Sequence, residues 1–384
     1  MIIDKTLDWA RSAPERAMTL PARYFYDEGV FEAEREHVFY PAWHCVAHVN
    51  ELKEPGAFVT FDILDQSVVV MCGDDGGIRA FHNVCQHRGN RLLAARRGRL
   101  GSVLRCGYHS WCYGRDGALK SAPRSERLPD FDKKDFGLKS VRVDRLGSFV
   151  FINLDPGAAP LAGLGAGAEA KMAHYLPDLP EMTLIEEVDV VVPANWKVIM
   201  DNSIEGYHFG LSGPVHKELA ALIDFKRYSL EAHDKWWTYI GPPKEGVQEA
   251  YGAPLAGATW QTDWFFNIGI WPNTTFYCFP FADICGTFIM LPLEPEKSLL
   301  RFGYYGPQRA MPDATKACIK WMNEKLGPED IELNVTTQKG LRSFGYDQGR
   351  YLIDPERSNE SEHLVHHFHS LVHDAVKDAI GARG

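Results

Sequence analysis

Two cysteines and two histidines stand at a spacing that can hold a metal: Cys85-x-His87, then residues 88–105, then Cys106-x-x-His109. With eight cysteines and fifteen histidines in 384 residues, chance supplies about 0.3 Cys-x-His pairs. A matching Cys-x-x-His within the next ~20 residues is then a few-in-a-thousand coincidence. Such a set can hold structural zinc tetrahedrally. It can also hold a Rieske [2Fe–2S] cluster, in which one iron takes both thiolates and the other both imidazoles. Zinc fingers pair Cys with Cys and His with His, whereas here each segment gives one of each, the arrangement the cluster needs. Gly89, Gly107 and Gly114 permit tight loops there, and Tyr108 and Trp111 can shield the centre or simply fill the core.

A second set lies in NWKVIMDNSIEGYHFGLSGPVHKEL (195–219), where Glu205, His208 and His216 are expected on a helix and its exit, behind Asp201. Two histidines and a carboxylate are the facial ligands of non-haem Fe(II), which leave positions open for dioxygen and substrate. Alone, Glu-x-x-His is a weak pattern. Beside a one-electron centre it gains weight, because single electrons need a second site that consumes them.

These residues need elements to position them. The stretch 27–39 reads as a helix. AFVTFDI (57–63), SVVVMCG (67–73) and IRAFHN (78–83) read as strands, with a hairpin loop at 73–77 and a further hairpin over 140–154. This predicts an N-terminal helical arm (1–40) and a small all-β domain (41–155). PGAAPLAGLGAGAEA (156–170) reads as a Pro, Gly and Ala linker leading into a helix. Its G-x-G-x-G has no strand before it, and its last glycine falls one residue early for a nucleotide loop. The remainder (156–384) mixes helices at 195–211, 312–325, 329–342 and 360–380 with strands at 184–192, 273–280, 285–292 and 298–305. The whole is an α+β protein.

Composition narrows the function classes. Lys plus Arg at 41 against Asp plus Glu at 51 gives −10, which argues against a nucleic-acid or anionic-membrane binder. No apolar run reaches membrane-spanning length and no signal peptide is visible, so a cytoplasmic chain is expected, with cysteines as ligands, nucleophiles or core filler. Residues 88–105 locally reverse the charge, with six arginines and no acid. They form either a solvated loop or a docking face for an acidic electron carrier. His363, His366, His367, His369 and His373 offer either another metal site or an amphipathic interface helix.

The two motifs together, Cys85-x-His87-Arg88-Gly89…Cys106-x-x-His109-x-Trp111 and Asn195-Trp196-Lys197…Asp201-Asn202-x-x-Glu205-x-Tyr207-His208, resemble the α subunit of Rieske non-haem iron oxygenases over about residues 25–375. The resemblance implies a catalytic domain built on a helix-flanked antiparallel sheet, with mononuclear Fe(II) held by His208, His216 and an aspartate on a late helix. Asp330 matches that position; Glu329 and Glu332 are its confusable neighbours and Asp354 a fallback. Seven residues separate the histidines, where the family usually has four or five. Glu205 stands where the family's bridging acid is commonly Asp, and the glutamate resembles the subgroup acting on quaternary ammonium compounds such as carnitine. That acid is implied to link an iron-ligating histidine to a cluster histidine, His109, of the next subunit in a head-to-tail homotrimer. Electrons are implied to come from NAD(P)H through a separate reductase or ferredoxin.

The expected reaction is O2-dependent hydroxylation of a C–H bond, with N-demethylation of a betaine-type or other N-alkyl compound as the first reading. Ring hydroxylation or cis-dihydroxylation of an arene is the second, and a Rieske electron carrier without catalysis the non-enzyme alternative. Trp236, Trp237, Tyr239, Trp260, Trp264, Phe265, Phe266, Trp271, Phe276 and Tyr277 crowd the expected pocket, as a cage for a methylammonium group, an arene slot, or ordinary sheet core.

Overall fold

The computed structural model describes residues 13–258, 262–308 and 310–381. The chain divides into two compact units, one running from Tyr40 to Gly163 and the other combining the N-terminal arm up to Phe39 with the chain from Leu164 onward. The arm thus packs as part of the larger unit rather than standing alone.

In the smaller unit, strands β1 (His44–His48), β2 (Ala57–Ile63), β3 (Gln66–Cys72), β4 (Ile78–His82), β5 (Arg97–Arg99), β9 (Ser140–Leu146) and β10 (Phe149–Asn153) form one sheet in the order β1-β10-β9-β4-β3-β2-β5. Strands β6 (Leu104–Arg105), β7 (Cys112–Tyr113) and β8 (Leu119–Ser121) form a second, small sheet. Phe58, Met71, Phe81, Leu104 and Tyr113 share one buried cluster with Cys85 and Cys106. The two sulfurs are therefore fixed by the domain core itself.

The larger unit begins with α1 (Glu28–Glu34), capped by the Asp27 carboxylate, which accepts from Val30 N–H at 2.9 Å. The stretch expected as a linker is mostly α2 (Ala162–Tyr175). Gly165, Ala168 and Met172 are buried at i, i+3 and i+7, so its small residues follow helical periodicity and serve close packing. A seven-stranded antiparallel sheet follows, in the order β11-β19-β18-β17-β16-β13-β12. Its strands are β11 (Thr183–Val192), β12 (Ser229–Ala232), β13 (Trp236–Gly241), β16 (Phe265–Ile270), β17 (Thr274–Cys278), β18 (Cys285–Glu294) and β19 (Lys297–Gly306). A two-residue pair, β14 (Glu249–Ala250) and β15 (Ala253–Pro254), lies apart. Strands β13 and β16 fall where the sequence showed a crowd of aromatics rather than a clean alternation.

Helices α3 (Trp196–Ser203), α4 (Pro214–Ala220), α5 (Asp313–Trp321), α6 (Gly327–Leu341) and α7 (His363–Gly381) complete the unit. The break expected between α5 and α6 is a π-helical stretch over Met322–Leu326, with Pro328 tolerated at the start of α6. No helix is long and apolar enough to cross a membrane among the described residues.

The Asn195-Trp196-Lys197 motif is structural. The Asn195 side chain caps α3, accepting from Lys197 N–H at 2.9 Å and donating to Pro295 O at 2.6 Å. Trp196 Nε1 donates to Glu34 at 2.9 Å and Lys197 Nζ to the same carboxylate at 2.5 Å, both ionic side chains fully buried. Burial pushes the Glu34 pKa up and the Lys197 pKa down. Gln338 on α6 accepts from Asn195 N–H at 2.9 Å, which ties α6 to the start of α3.

Candidate metal centres

The loops bearing Cys85 and Cys106 repeat one backbone device. Gly89 N donates to Cys85 O at 3.0 Å and Cys85 N to Asn90 O at 2.8 Å; Ser110 N donates to Cys106 O at 3.1 Å and Cys106 N to Trp111 O at 2.8 Å. Gly89 and Ser110, each four residues after its cysteine, take positive φ of 74° and 60°. Each loop thus turns tightly enough to carry a sulfur inward and an imidazole outward. Cys85 and Cys106 are buried, and His87 and His109 are exposed. The two rings lie 4.8 Å apart, with Trp111 stacked on His87 and Tyr108 on His109.

Burial raises the Cys85 thiol. At Cys106 burial also raises the pKa, but donation from the Tyr108 and His109 backbone and from Cys85 and Asn90 outweighs it and the net shift is downward. Donors aimed at sulfur suit bound thiolate. A single tetrahedral zinc would draw all four ligand atoms to within about 4 Å of one another. Among the described residues no three of these four gather within 4.8 Å. Two sulfurs inside and two imidazoles outside instead fit a two-iron cluster lying between them.

The arginine stretch is not a free loop. Arg91 pairs with Asp62 at 2.9 Å and Arg97 with Glu51 at 3.0 Å; Arg96 donates to Val46 O at 3.1 Å and to Thr60 O; Arg97–Arg99 is strand β5. Arg88 donates to Tyr108 Oη at 2.8 Å. Of the six arginines, Arg88 and Arg105 keep exposed positions close in sequence to the ligand loops without a salt bridge among the described residues.

In the larger unit α3 ends at Ser203, eight residues before the expected helix end. Glu205 explains this locally: its carboxylate accepts the backbone N–H of Tyr207 and, at 3.2 Å, of His208, so these donors leave the helical ladder. Leu211 and Ser212 N–H then close turns on His208 O at 3.1 and 2.8 Å, and Pro214 starts α4, which carries His216. The long histidine spacing is thus one extra turn and the first residues of a helix. Both rings face Asp330 on α6: its Oδ1 lies 2.9 Å from His216 Nε2 and 3.9 Å from His208 Nε2. Ligand atoms of His208, His216 and Asp330 all fall within 4.8 Å of one another, the only such group among the described residues.

Each imidazole is held from behind by a second carboxylate. Glu205 meets His208 Nδ1, and Glu329 meets His216 Nδ1 while accepting the N–H of His216 at 3.0 Å. This leaves both Nε2 atoms turned inward, the orientation a metal requires, and an Nδ1–H donated to each carboxylate would fix the matching tautomer. Burial alone would lower the His216 pKa, but Asp330 and Glu329 outweigh it and the net shift is upward. Glu329, first met only as a possible confusion with Asp330, is therefore placed on the far side of His216. Glu332 is exposed, and Asp354 caps a turn by accepting from Glu356 and Ser358 N–H at 2.9 and 3.1 Å.

The three ligand candidates border a cavity of about 260 Å³ whose floor is one face of the seven-stranded sheet. Tyr239, Phe265 and Tyr277 of the expected aromatics line it, joined by Phe209, Phe279, Phe288, Phe302 and Tyr304. Phe266 points to the other face, where its ring meets Tyr175 of α2 at 5.7 Å, and Trp236, Trp271 and Phe276 also lie outside the lining. Trp260 falls outside the described residues. Three of the five late histidines make hydrogen bonds here within the protein: His369 contacts Asp201 at 2.9 Å and Tyr351 at 2.8 Å, His373 meets Tyr24 at 3.2 Å, and His363 meets Ser361 at 2.8 Å.

The comparisons agree with this two-centre layout. Residues 42–132 match the Rieske [2Fe-2S] domain, and residues 179–378 the ring hydroxylating alpha subunit (catalytic domain). The carnitine monooxygenase oxygenase subunit of Escherichia coli (strain K12) is 35% identical over 369 residues, covering 95% of this chain and 96% of that one. A chloroplastic choline monooxygenase of Arabidopsis thaliana is 30% identical, covering 94% and 84%. The crystal structure of the quaternary ammonium Rieske monooxygenase CntA with L-carnitine superposes with a TM-score of 0.86 at 30% identity, covering 96% and 98%. Naphthalene 1,2-dioxygenase from Rhodococcus sp., at 20% identity and a TM-score of 0.78, shares the fold. The chain belongs to the Rieske non-haem iron oxygenases, as an α-type subunit carrying both a [2Fe–2S] cluster and a mononuclear iron.

Proposed function

We propose that His208, His216 and Asp330 hold the mononuclear iron, that Cys85, His87, Cys106 and His109 hold the cluster, and that the substrate is a small N-methylated cation. The observation that carries this reading is the convergence of two carboxylate-backed Nε2 atoms and one aspartate at the edge of an aromatic cavity. As a family member the chain works with O2, a small-molecule substrate and a separate reductase. When bound, the iron supplies dioxygen activation with electrons arriving one at a time. Ring faces such as Phe265 and Phe279 attract a methylammonium group and exclude water around it. Hydroxylation of one N-methyl carbon consumes O2, two electrons and two protons and releases water. The carbinolamine then splits into formaldehyde, a proton and the demethylated amine. Relatives acting on carnitine and choline support this class.

Formaldehyde measured against substrate and O2 consumed, with a panel of methylammonium compounds and of arenes, tests the reading. One formaldehyde per O2 is expected from the former, and cis-diol formation from arenes alone would overturn it.

Glu205 is proposed as the acid that couples the two centres in a head-to-tail trimer, because its carboxylate already orients His208. A related CntA structure is described in terms of inter-subunit electron transfer. Glu205→Gln is expected to retain both metals and normal cluster reduction, yet to lose turnover by roughly 100-fold. Unchanged turnover would remove the bridging role. Glu329→Gln is expected to weaken iron retention during dialysis by about 10- to 100-fold while leaving cluster absorbance intact. The reductase or ferredoxin is proposed to approach over Arg88 and Arg105 rather than Arg96 and Arg97, which are tied into the domain. Six cysteines besides the two cluster ligands stand as thiols among the described residues, which supports a cytoplasmic setting.

A further inference from the structure

The register of the larger sheet aligns Tyr239, Asn267, Tyr277, Gly286 and Tyr304 as successive neighbours on β13, β16, β17, β18 and β19. Residues paired in this way share a sheet face, and the four with side chains all line the cavity. Gly286 is required here, because a Cβ would overlap the Tyr277 ring that lies across it. The row is a polar band through an otherwise aromatic floor.

Its two ends are satisfied from within the protein. Tyr239 Oη donates to Ser203 O at 2.5 Å, and Tyr304 Oη donates to Asn323 Oδ1 at 2.6 Å. Its middle is satisfied only in part. Asn267 is 6% exposed and Tyr277 5%; among the described residues the buried Asn267 Oδ1 has no hydrogen-bond partner, and the buried Tyr277 Oη has the Tyr304 hydroxyl as its neighbour in the row. An unmade buried hydrogen bond is expensive enough that native interiors seldom keep one without use. An amide and a phenol each donate and accept, so together they match a hydroxyl, carbonyl or amide. They supply no countercharge, and among the described lining residues none is Lys or Arg. A carboxylate placed there would lose its hydration without gaining a cation.

We propose that Asn267 and Tyr277 are specificity-determining residues that seat an uncharged hydrogen-bonding group of the substrate, while the aromatic walls hold its methylammonium end. The proposal rests on the N-demethylation reading and narrows it: the substrate is a methylammonium compound bearing an alcohol, carbonyl or amide rather than a carboxylate.

Three trimethylammonium probes of similar size test it on the metal-loaded enzyme with its reductase: choline (alcohol), glycine betaine (carboxylate) and propyltrimethylammonium (no polar group). Binding is followed by calorimetry, and oxidation by O2 uptake with product analysis. Wild-type enzyme is expected to favour the alcohol over both others by at least ~10-fold. Asn267→Leu is expected to lose roughly 10- to 100-fold in kcat/KM and affinity for the alcohol, mostly through KM, while the hydrocarbon probe changes less than about threefold. Tyr277→Phe and Asn267→Ser, milder changes in volume, should follow the same order among the probes if Asn267→Leu folds poorly. Equal losses on all three probes, or a wild-type preference for the carboxylate, would overturn the subsite and leave N-demethylation standing. No binding or oxidation of any probe by loaded wild-type enzyme would overturn the N-demethylation reading and the subsite with it.

Discussion

Asp330→Ala is expected to abolish substrate-dependent O2 consumption, by 1,000-fold or more, while the cluster keeps its visible spectrum and accepts electrons at the wild-type rate. Among the described residues Asp330 supplies the only carboxylate facing both Nε2 atoms, and a two-histidine remainder is a poor site for Fe(II). Glu329 cannot replace it, since it sits on the Nδ1 side of His216. The proposed cluster ligands lie in a separate compact unit, Tyr40–Gly163, so the loss should be confined to one metal. Iron content should fall by about one atom per chain. A variant that kept its full iron and its turnover would remove Asp330 from the site.

Lys197→Met is expected to destabilise the larger unit by about 3–5 kcal/mol, the cost of leaving the Glu34 carboxylate buried without its partner. The pair is fully buried, and Trp196 depends on the same carboxylate. Replacing both partners, as in Glu34→Leu with Lys197→Met, should recover most of that loss, because burying an ion pair is itself costly. The denaturation midpoint of the larger unit reads both variants. The damage should extend to iron retention, since Lys197 lies on α3, whose cap at Asn195 is bound to Gln338 of the helix carrying Asp330. A single variant as stable as wild type would show that the pair contributes nothing to this packing.

The sequence exposes local chemistry far better than long-range chemistry. Cys85 with His87, and Cys106 with His109, each sit within one tight turn, so their spacing already reports the geometry. The hairpins over 57–83 and 140–154 show the same legibility, because register follows from alternation and turn residues. Asp330 reaches His216 across 114 residues, a distance no local pattern encodes, and only the family resemblance points to it. Glu329 and Asp330 are adjacent acids with different tasks, and nothing in their types distinguishes the one behind His216 from the one in front. The end of α3 at Ser203 is hidden because a side-chain carboxylate, not a Gly or Pro, diverts the backbone donors. Composition misleads at 156–170, where glycine and alanine signal a linker but provide a helix with its close-packed face. It misleads again at 88–105, where six arginines look like free charge although Asp62, Glu51, Glu54 and backbone carbonyls bind four of them, Arg91, Arg96, Arg97 and Arg99. Along β16 and β17 alternation divides pocket from core, with Phe265 and Tyr277 lining the cavity and Phe266 and Phe276 outside it, whereas Trp237 shares the parity of Tyr239 yet lies outside the lining.

The central claim is that one chain houses two different iron centres, one passing electrons and one consuming them with O2. Iron, zinc and acid-labile sulfide measured per chain, with electron paramagnetic resonance of the reduced and oxidised protein, test it most directly. About three irons and two sulfides per chain are expected, with a reduced cluster signal and a separate mononuclear Fe(II) site that responds to substrate. Two irons with no mononuclear site, or zinc in place of either centre, would contradict it.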